Sequence, residues 1–209
     1  MEDGQICGDD EVLALQNRNA VLQSDEIRRL ATLGRPDPSI VRIDTELLCS
    51  LHRLATADIF EFSGQVRNGP VGIGGTTHRP PPAEDVPGHL DDMFRYIADN
   101  WDAKPLHLCS YLLWRCNWIH PFFNGNGRTT RGIAYLTFLL RLGYEPGGGP
   151  TFIDMISDHQ PIYYAALDAA DAAWAAGRLD VSAMETKCSE LLATQIRKII
   201  SDTGMQLKR

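Results

Sequence analysis

His120-Pro121-Phe122-Phe123-Asn124-Gly125-Asn126-Gly127-Arg128-Thr129-Thr130-Arg131 gathers a base, two amides, two glycines and two guanidiniums into one short run. An imidazole with a pKa near neutrality can take a proton from an attacking hydroxyl. Gly125 and Gly127 allow close backbone approach, and the N–H groups around them can converge on one anion. Arg128 and Arg131 add fixed positive charge. The mostly apolar stretch 130–140 reads as a helix, so the loop should end at a helix N-terminus, where unpaired N–H groups favour phosphate. The chemistry these residues suit is transfer at a polyphosphate.

The elements that must hold this loop are helical. Apolar residues recur at helical spacing over 10–33, as one helix or a pair, and over 45–60. Helices are further predicted over 86–98, 105–119, 162–176 and 181–200. The 105–119 segment, with Leu106, Leu108, Leu112, Leu113, Trp114 and Trp118, has few polar positions, as befits a central buried helix leading straight into His120. Residues 62–82 differ. They are glycine-rich, with β-branched residues around Arg67-Asn68-Gly69-Pro70, and read as a β-hairpin followed by an extended Pro80-Pro81-Pro82 exit. The expected fold is all-α, a helical bundle with one short hairpin flap near the active site. We divide the chain into an N-terminal helical segment (1–40), a core (41–178) with its flap at 63–78 and loop at 120–131, and a C-terminal helix (179–209) whose last residues, from 202, are expected to fray.

The loop resembles the signature of the Fic family, His-Pro-Phe-x-Asp/Glu-Gly-Asn-Gly-Arg-x-x-Arg, and matches it at every fixed place except Asn124. Ser63-Gly64-Gln65-Val66-Arg67, the run Val71 to Thr76 and the three prolines resemble the family's flap and its exit. The resemblance implies a protein adenylyltransferase that moves AMP from ATP, with Mg²⁺ or Mn²⁺, to a Ser, Thr or Tyr hydroxyl and releases pyrophosphate. It makes His120 the general base and Phe122 the core anchor of the loop. It places Phe123, Asn124, Gly125, Asn126, Gly127, Arg128 and Arg131 around the nucleotide, with Asn126 and the N–H groups on the α- and β-phosphates and both arginines on the outer ones. Asn124 stands where the family has its metal-binding acid, and is therefore the metal-ligand candidate. A neutral amide oxygen can still bind a hard cation but supplies no charge.

By the same resemblance, a target protein would dock its extended segment on the flap at Val71, Gly72, Ile73 and Gly74. Tyr163 and Tyr164 are candidates for the adenine pocket, and His78, at the end of the flap, for a substrate contact. The family's inhibitory helix carries Ser or Thr four residues before a Glu followed by Gly or Asn. Thr186 and Glu190 have the spacing without the Gly or Asn, so inhibition is expected from a separate antitoxin-like partner. Two other readings remain. Asn124 marks a catalytically silent nucleotide- or partner-binding protein, or the enzyme uses UTP, GTP or CDP-choline.

The net charge of −7 and pI near 5.3 argue against a general nucleic-acid binder. Five scattered cysteines lack the spacing of a zinc site or disulfide framework and suggest a reducing cytosol. No apolar run is long enough for a membrane span and no secretory leader is readable, so a cytoplasmic protein is expected. His52, His89, His107 and His159 show no local partner pattern and are assigned no catalysis.

Overall fold

A computed structural model describes residues 4–74, 76 and 78–203; Gly75 and Thr77 of the flap, and residues 204–209 of the expected fraying end, lie outside it. Eight α-helices follow in order among the described residues: α1 (Asp9–Leu33), α2 (Thr45–Thr56), α3 (Val86–Asp99), α4 (Pro105–Ile119), α5 (Asn126–Leu142), α6 (Phe152–Met155), α7 (Gln160–Ala175) and α8 (Ser182–Thr203). The architecture is all-helical, as expected. The segment 10–33 forms one helix rather than two, and α8 keeps its helix through Asp202 and Thr203.

The centre is the antiparallel pair α4 and α5. Every residue of α4 from Leu108 to Cys116 is buried, including Trp114 and Leu112, because α3, α5, α7 and α8 all pack around it. On α5 the run from Gly132 to Leu140 is likewise buried, and α1 and α2 close its other side. One apolar cluster runs from Ile27 and Leu30 of α1 through these helices to Met184, Cys188 and Leu191 of α8. The loop between α4 and α5 is therefore clamped at both ends by the best-packed helices of the molecule.

Two expected elements differ. The helix over 45–60 stops at Thr56, whose hydroxyl donates back to the carbonyl of His52 (2.7 Å). Asp58 takes a positive φ of 62°, and the amide of Asn19 on α1 captures the carbonyl of Ala57 (2.8 Å), so the chain turns there. The β-hairpin at 63–78 is absent as paired strands among the described residues; the isolated bridge between Gln5 and Phe60 is the sole pairing. Its first arm bonds elsewhere: the N–H of Arg67 donates to the carbonyl of Pro121 in the active-site loop (2.9 Å). Pro70 and Pro80 to Pro82 have no N–H to give a ladder. The described part of the flap segment is irregular chain, tied to the loop by the bond from Arg67 to Pro121.

Candidate active site

The loop is built by its own residues. α4 ends where His120 adopts the left-handed conformation (φ 50°, ψ 62°), costing on the order of 1 kcal/mol for a non-glycine residue, while its N–H still donates to Cys116 (2.9 Å). Phe122 is fully buried, and its ring stacks on His52 at 3.8 Å and 4°. Asn126, 3% exposed, closes the turn: its Oδ1 accepts from the N–H of Phe122 (2.9 Å) and its Nδ2 donates to the Phe122 carbonyl (2.7 Å). Gly125 is required at the junction. It has φ 74°, and a Cβ there would lie 2.6 Å from Cγ2 of Thr56.

α5 begins immediately, and its first helical N–H bond is Thr129 to Gly125 (3.1 Å). The N–H groups of Asn126, Gly127 and Arg128 thus belong to the unbonded first turn, a seat for an anion at the positive end of the helix. Asn126 offers a ligand that N–H, since both polar ends of its side chain are engaged with Phe122. Phe123 packs on Phe62 beneath the flap root, at 5.3 Å between ring centres.

The predicted site residues fall on two sides of the loop. His120 and Gly127 open on a cleft of about 410 Å³, walled by Trp114, Trp118 and Tyr164 and roofed by Ile73 and Gly74 of the flap. Arg128 and Arg131 line a second cavity of about 170 Å³, with Gln23 and Ser24 of α1, Thr151 and Asp154. Arg128 donates to the carbonyl of Ala55 (2.9 Å); no carboxylate forms an ion pair with either arginine among the described residues. Burial lowers the pKa of both, leaving two partly desolvated cations beside the anion seat.

His120 is not the near-neutral imidazole expected. Burial pushes its pKa down to about 4, reinforced by the positive charge of Arg67 and by His78, and the nearby backbone of Asn117 opposes the shift. Among the described residues its buried Nδ1 has no hydrogen-bond partner, so the backbone of Asn117 acts by proximity and not by a well-formed bond. Asn124 turns its Oδ1 to the N–H of Gly125 (2.7 Å), and its carbonyl meets Nε2 of His52 (2.9 Å). No group of three or more His, Cys, Asp or Glu side chains suited to a metal occurs among the described residues.

Two positioning residues escaped the sequence. His52, fully buried, accepts from the N–H of Gly64 at Nδ1 (2.8 Å), which fixes the proton on Nε2 for the bond to Asn124 and joins α2, the flap root and the loop. Arg67 bonds carbonyls at the end of α4 and at Gly69 and Pro81. The sequence holds no local sign of either, since the partners lie 72 and 53 residues away.

The other candidates separate cleanly. Tyr164 is exposed on the cleft, whereas Tyr163 is buried, its hydroxyl accepting from Asn117 (2.7 Å). His78 lines the cleft and its Nε2 meets the carbonyl of Trp118 (2.9 Å). His107 lies between Tyr96 (2.8 Å) and Glu185 (2.6 Å), away from the loop. Glu190 is a surface residue of α8 whose ion pair is with Lys187 (3.8 Å), not with a loop arginine.

Fold and site together define an all-helical protein whose central helix delivers a histidine to a glycine-bracketed, arginine-flanked helix N-terminus. Residues 42–138, just under half of the chain, match the Fic/DOC family model. Proteins named "Protein adenylyltransferase Fic" from Drosophila persimilis and Drosophila mojavensis are 33% identical over 103 residues and 35% identical over 104 residues. Each alignment covers 47% of this chain and 20% of the relative, so the chain spans about a fifth of the length of the curated relatives it matches. Among solved structures, a Fic family protein from Desulfovibrio desulfuricans superposes with a TM-score of 0.63 at 24% identity, covering 94% of this chain and 64% of that one. The Fic-1 fragment from C. elegans gives 0.68 at 19% identity, covering 97% and 56%. These superpositions establish the fold alone.

Proposed function

We propose that the protein is a Fic-type adenylyltransferase, moving AMP from ATP to a Ser, Thr or Tyr hydroxyl of a protein and releasing pyrophosphate. The observation that carries this reading is the adjacency of His120, open to the cleft, to the unbonded first turn of α5. The hydroxyl attacks the α-phosphorus as the bond to the bridging β-oxygen breaks; His120 takes the hydroxyl proton, and pyrophosphate leaves with the bonding pair. Charge growing on the phosphate oxygens meets the N–H groups of Asn126, Gly127 and Arg128. Arg128 and Arg131 hold the outer phosphates, and the wide cleft takes the nucleoside between Trp118, Tyr164 and the flap. The open backbone at Gly72 and Gly74, where an added Cβ meets nothing, supports docking of an extended target segment across 71–74.

Mg²⁺ would arrive with the nucleotide, Asn124 contributing one neutral oxygen, and would neutralise phosphate charge there. Regulation by a separate antitoxin-like partner fits a Glu190 that faces solvent. Five free cysteines suit a reducing compartment, and no helix among the described residues is long and apolar enough to cross a membrane.

The test is incubation with ATP labelled at the α-phosphate, with Mg²⁺ or Mn²⁺ and a protein lysate, beside His120→Ala. A histidine-dependent gain of AMP on protein is expected. ATP binding without transfer would favour the silent-binder reading that Asn124 supports, and transfer from UTP, GTP or CDP-choline alone would reassign the donor.

A further inference from the structure

Arg67 is 2% exposed, burial lowers its pKa, and no carboxylate pairs with it among the described residues. Carbonyl oxygens take that place. Nε donates to His120 (2.8 Å), Nη2 to Pro81 (2.6 Å) and Ile119 (3.3 Å), and Nη1 to Gly69 (3.0 Å), while the backbone N–H of Arg67 donates to Pro121 (2.9 Å). Ile119, His120 and Pro121 lie at the C-terminal end of α4, where carbonyls lose their helical partners and the helix dipole favours a cation. Gly69 and Pro81 flank the segment 71–74 on either side.

We infer that Arg67 is a positioning residue that makes one rigid unit of the base and the target-holding segment, fixing the left-handed turn at His120 and the chain at Gly69 and Pro81 on either side of 71–74. Only a planar fork with several N–H groups reaches these four carbonyls at once; a lysine ammonium, with three N–H groups on one atom, cannot. This role rests on the reading of His120 as the base. It explains how a segment lacking paired strands keeps a fixed place beside that residue.

The experiment compares Arg67→Lys and Arg67→Gln with the wild type in four measurements: thermal unfolding, amide hydrogen exchange, NMR titration of the histidine rings, and AMP transfer. Lysine keeps the charge and length and is the variant retained if glutamine prevents folding. In folded Arg67→Lys, kcat is expected to fall about 100-fold, as for a reacting group displaced by about an ångström, with KM for ATP within about 2-fold because Arg128 and Arg131 are untouched. Amide exchange at His120 and across 69–81 should accelerate. In Arg67→Gln the His120 midpoint should rise by roughly half a pH unit or more, since His78 remains as the other basic side chain facing the ring. Wild-type kcat in folded Arg67→Lys overturns the inference. Should the wild type transfer nothing from any donor, the proposed function fails separately, and unchanged amide exchange in Arg67→Lys overturns the positioning role without reference to activity.

Discussion

At the scale of single residues, His120 is held neutral by burial and by Arg67, so at physiological pH the base is ready but its conjugate acid is disfavoured. The negative charge of bound phosphates would offset that penalty. With a free-protein pKa of about 4, kcat/KM for transfer should be flat from about pH 6 upward and bend down only below about pH 5. A bend near the ordinary histidine value would mean that the ring is solvated in solution. Asn124 allows the complementary test. Its Oδ1 already accepts from Gly125, a bond that a carboxylate at the same position can keep while adding one negative charge. Asn124→Asp should therefore lower the Mg²⁺ concentration for half-maximal transfer by roughly 10-fold or more, read by titrating Mg²⁺ at fixed ATP.

At the scale of elements, the loop is a turn locked between two helices, and its lock is Asn126. Truncation to alanine strands the buried N–H and carbonyl of Phe122, so Asn126→Ala should cost about 2–4 kcal/mol in urea unfolding. A loss under 1 kcal/mol would mean that water replaces the amide. Much of this region was legible in the chain. The run before His120, with few polar positions, announces the buried helix, and Gly125 announces the left-handed junction it occupies. Legibility failed where a decision depends on distant partners. Residues 62–82 have the glycines, β-branched residues and turn of a hairpin, yet the N–H of Arg67 bonds across to Pro121, which no local pattern reveals. The helix over 45–60 failed alike, because Asn19 from another helix captures the carbonyl of Ala57.

At the scale of the whole molecule, His52 links α2, the flap root and the loop through a neutral ring, and this makes the stability of the entire bundle depend on pH. Both its nitrogens are committed, one accepting from Gly64 and one donating to Asn124, and protonation would turn the accepting nitrogen into a second donor facing a donor. Burial, aided by Arg128 and Arg53, pushes its pKa down to about 4 from the model-peptide value of 6.5. The unfolded chain therefore binds the extra proton first as the solution is acidified. Stability from the neutral ring is fully present above about pH 6.5 and is lost progressively as pH falls toward 4, a change on the order of 3 kcal/mol. His120 acts in the same direction over the same window. Depressed carboxylates such as Glu26 lose their contribution only at lower pH, so a fall in unfolding midpoint between pH 6.5 and 4.5 reports the histidines. His52→Gln should be less stable at pH 7, since the amide cannot reproduce the stack on Phe122, but its midpoint should vary less across that window. An equal pH slope in wild type and His52→Gln would remove His52 from the account and leave the acid sensitivity to His120 and to His89, which burial also shifts down.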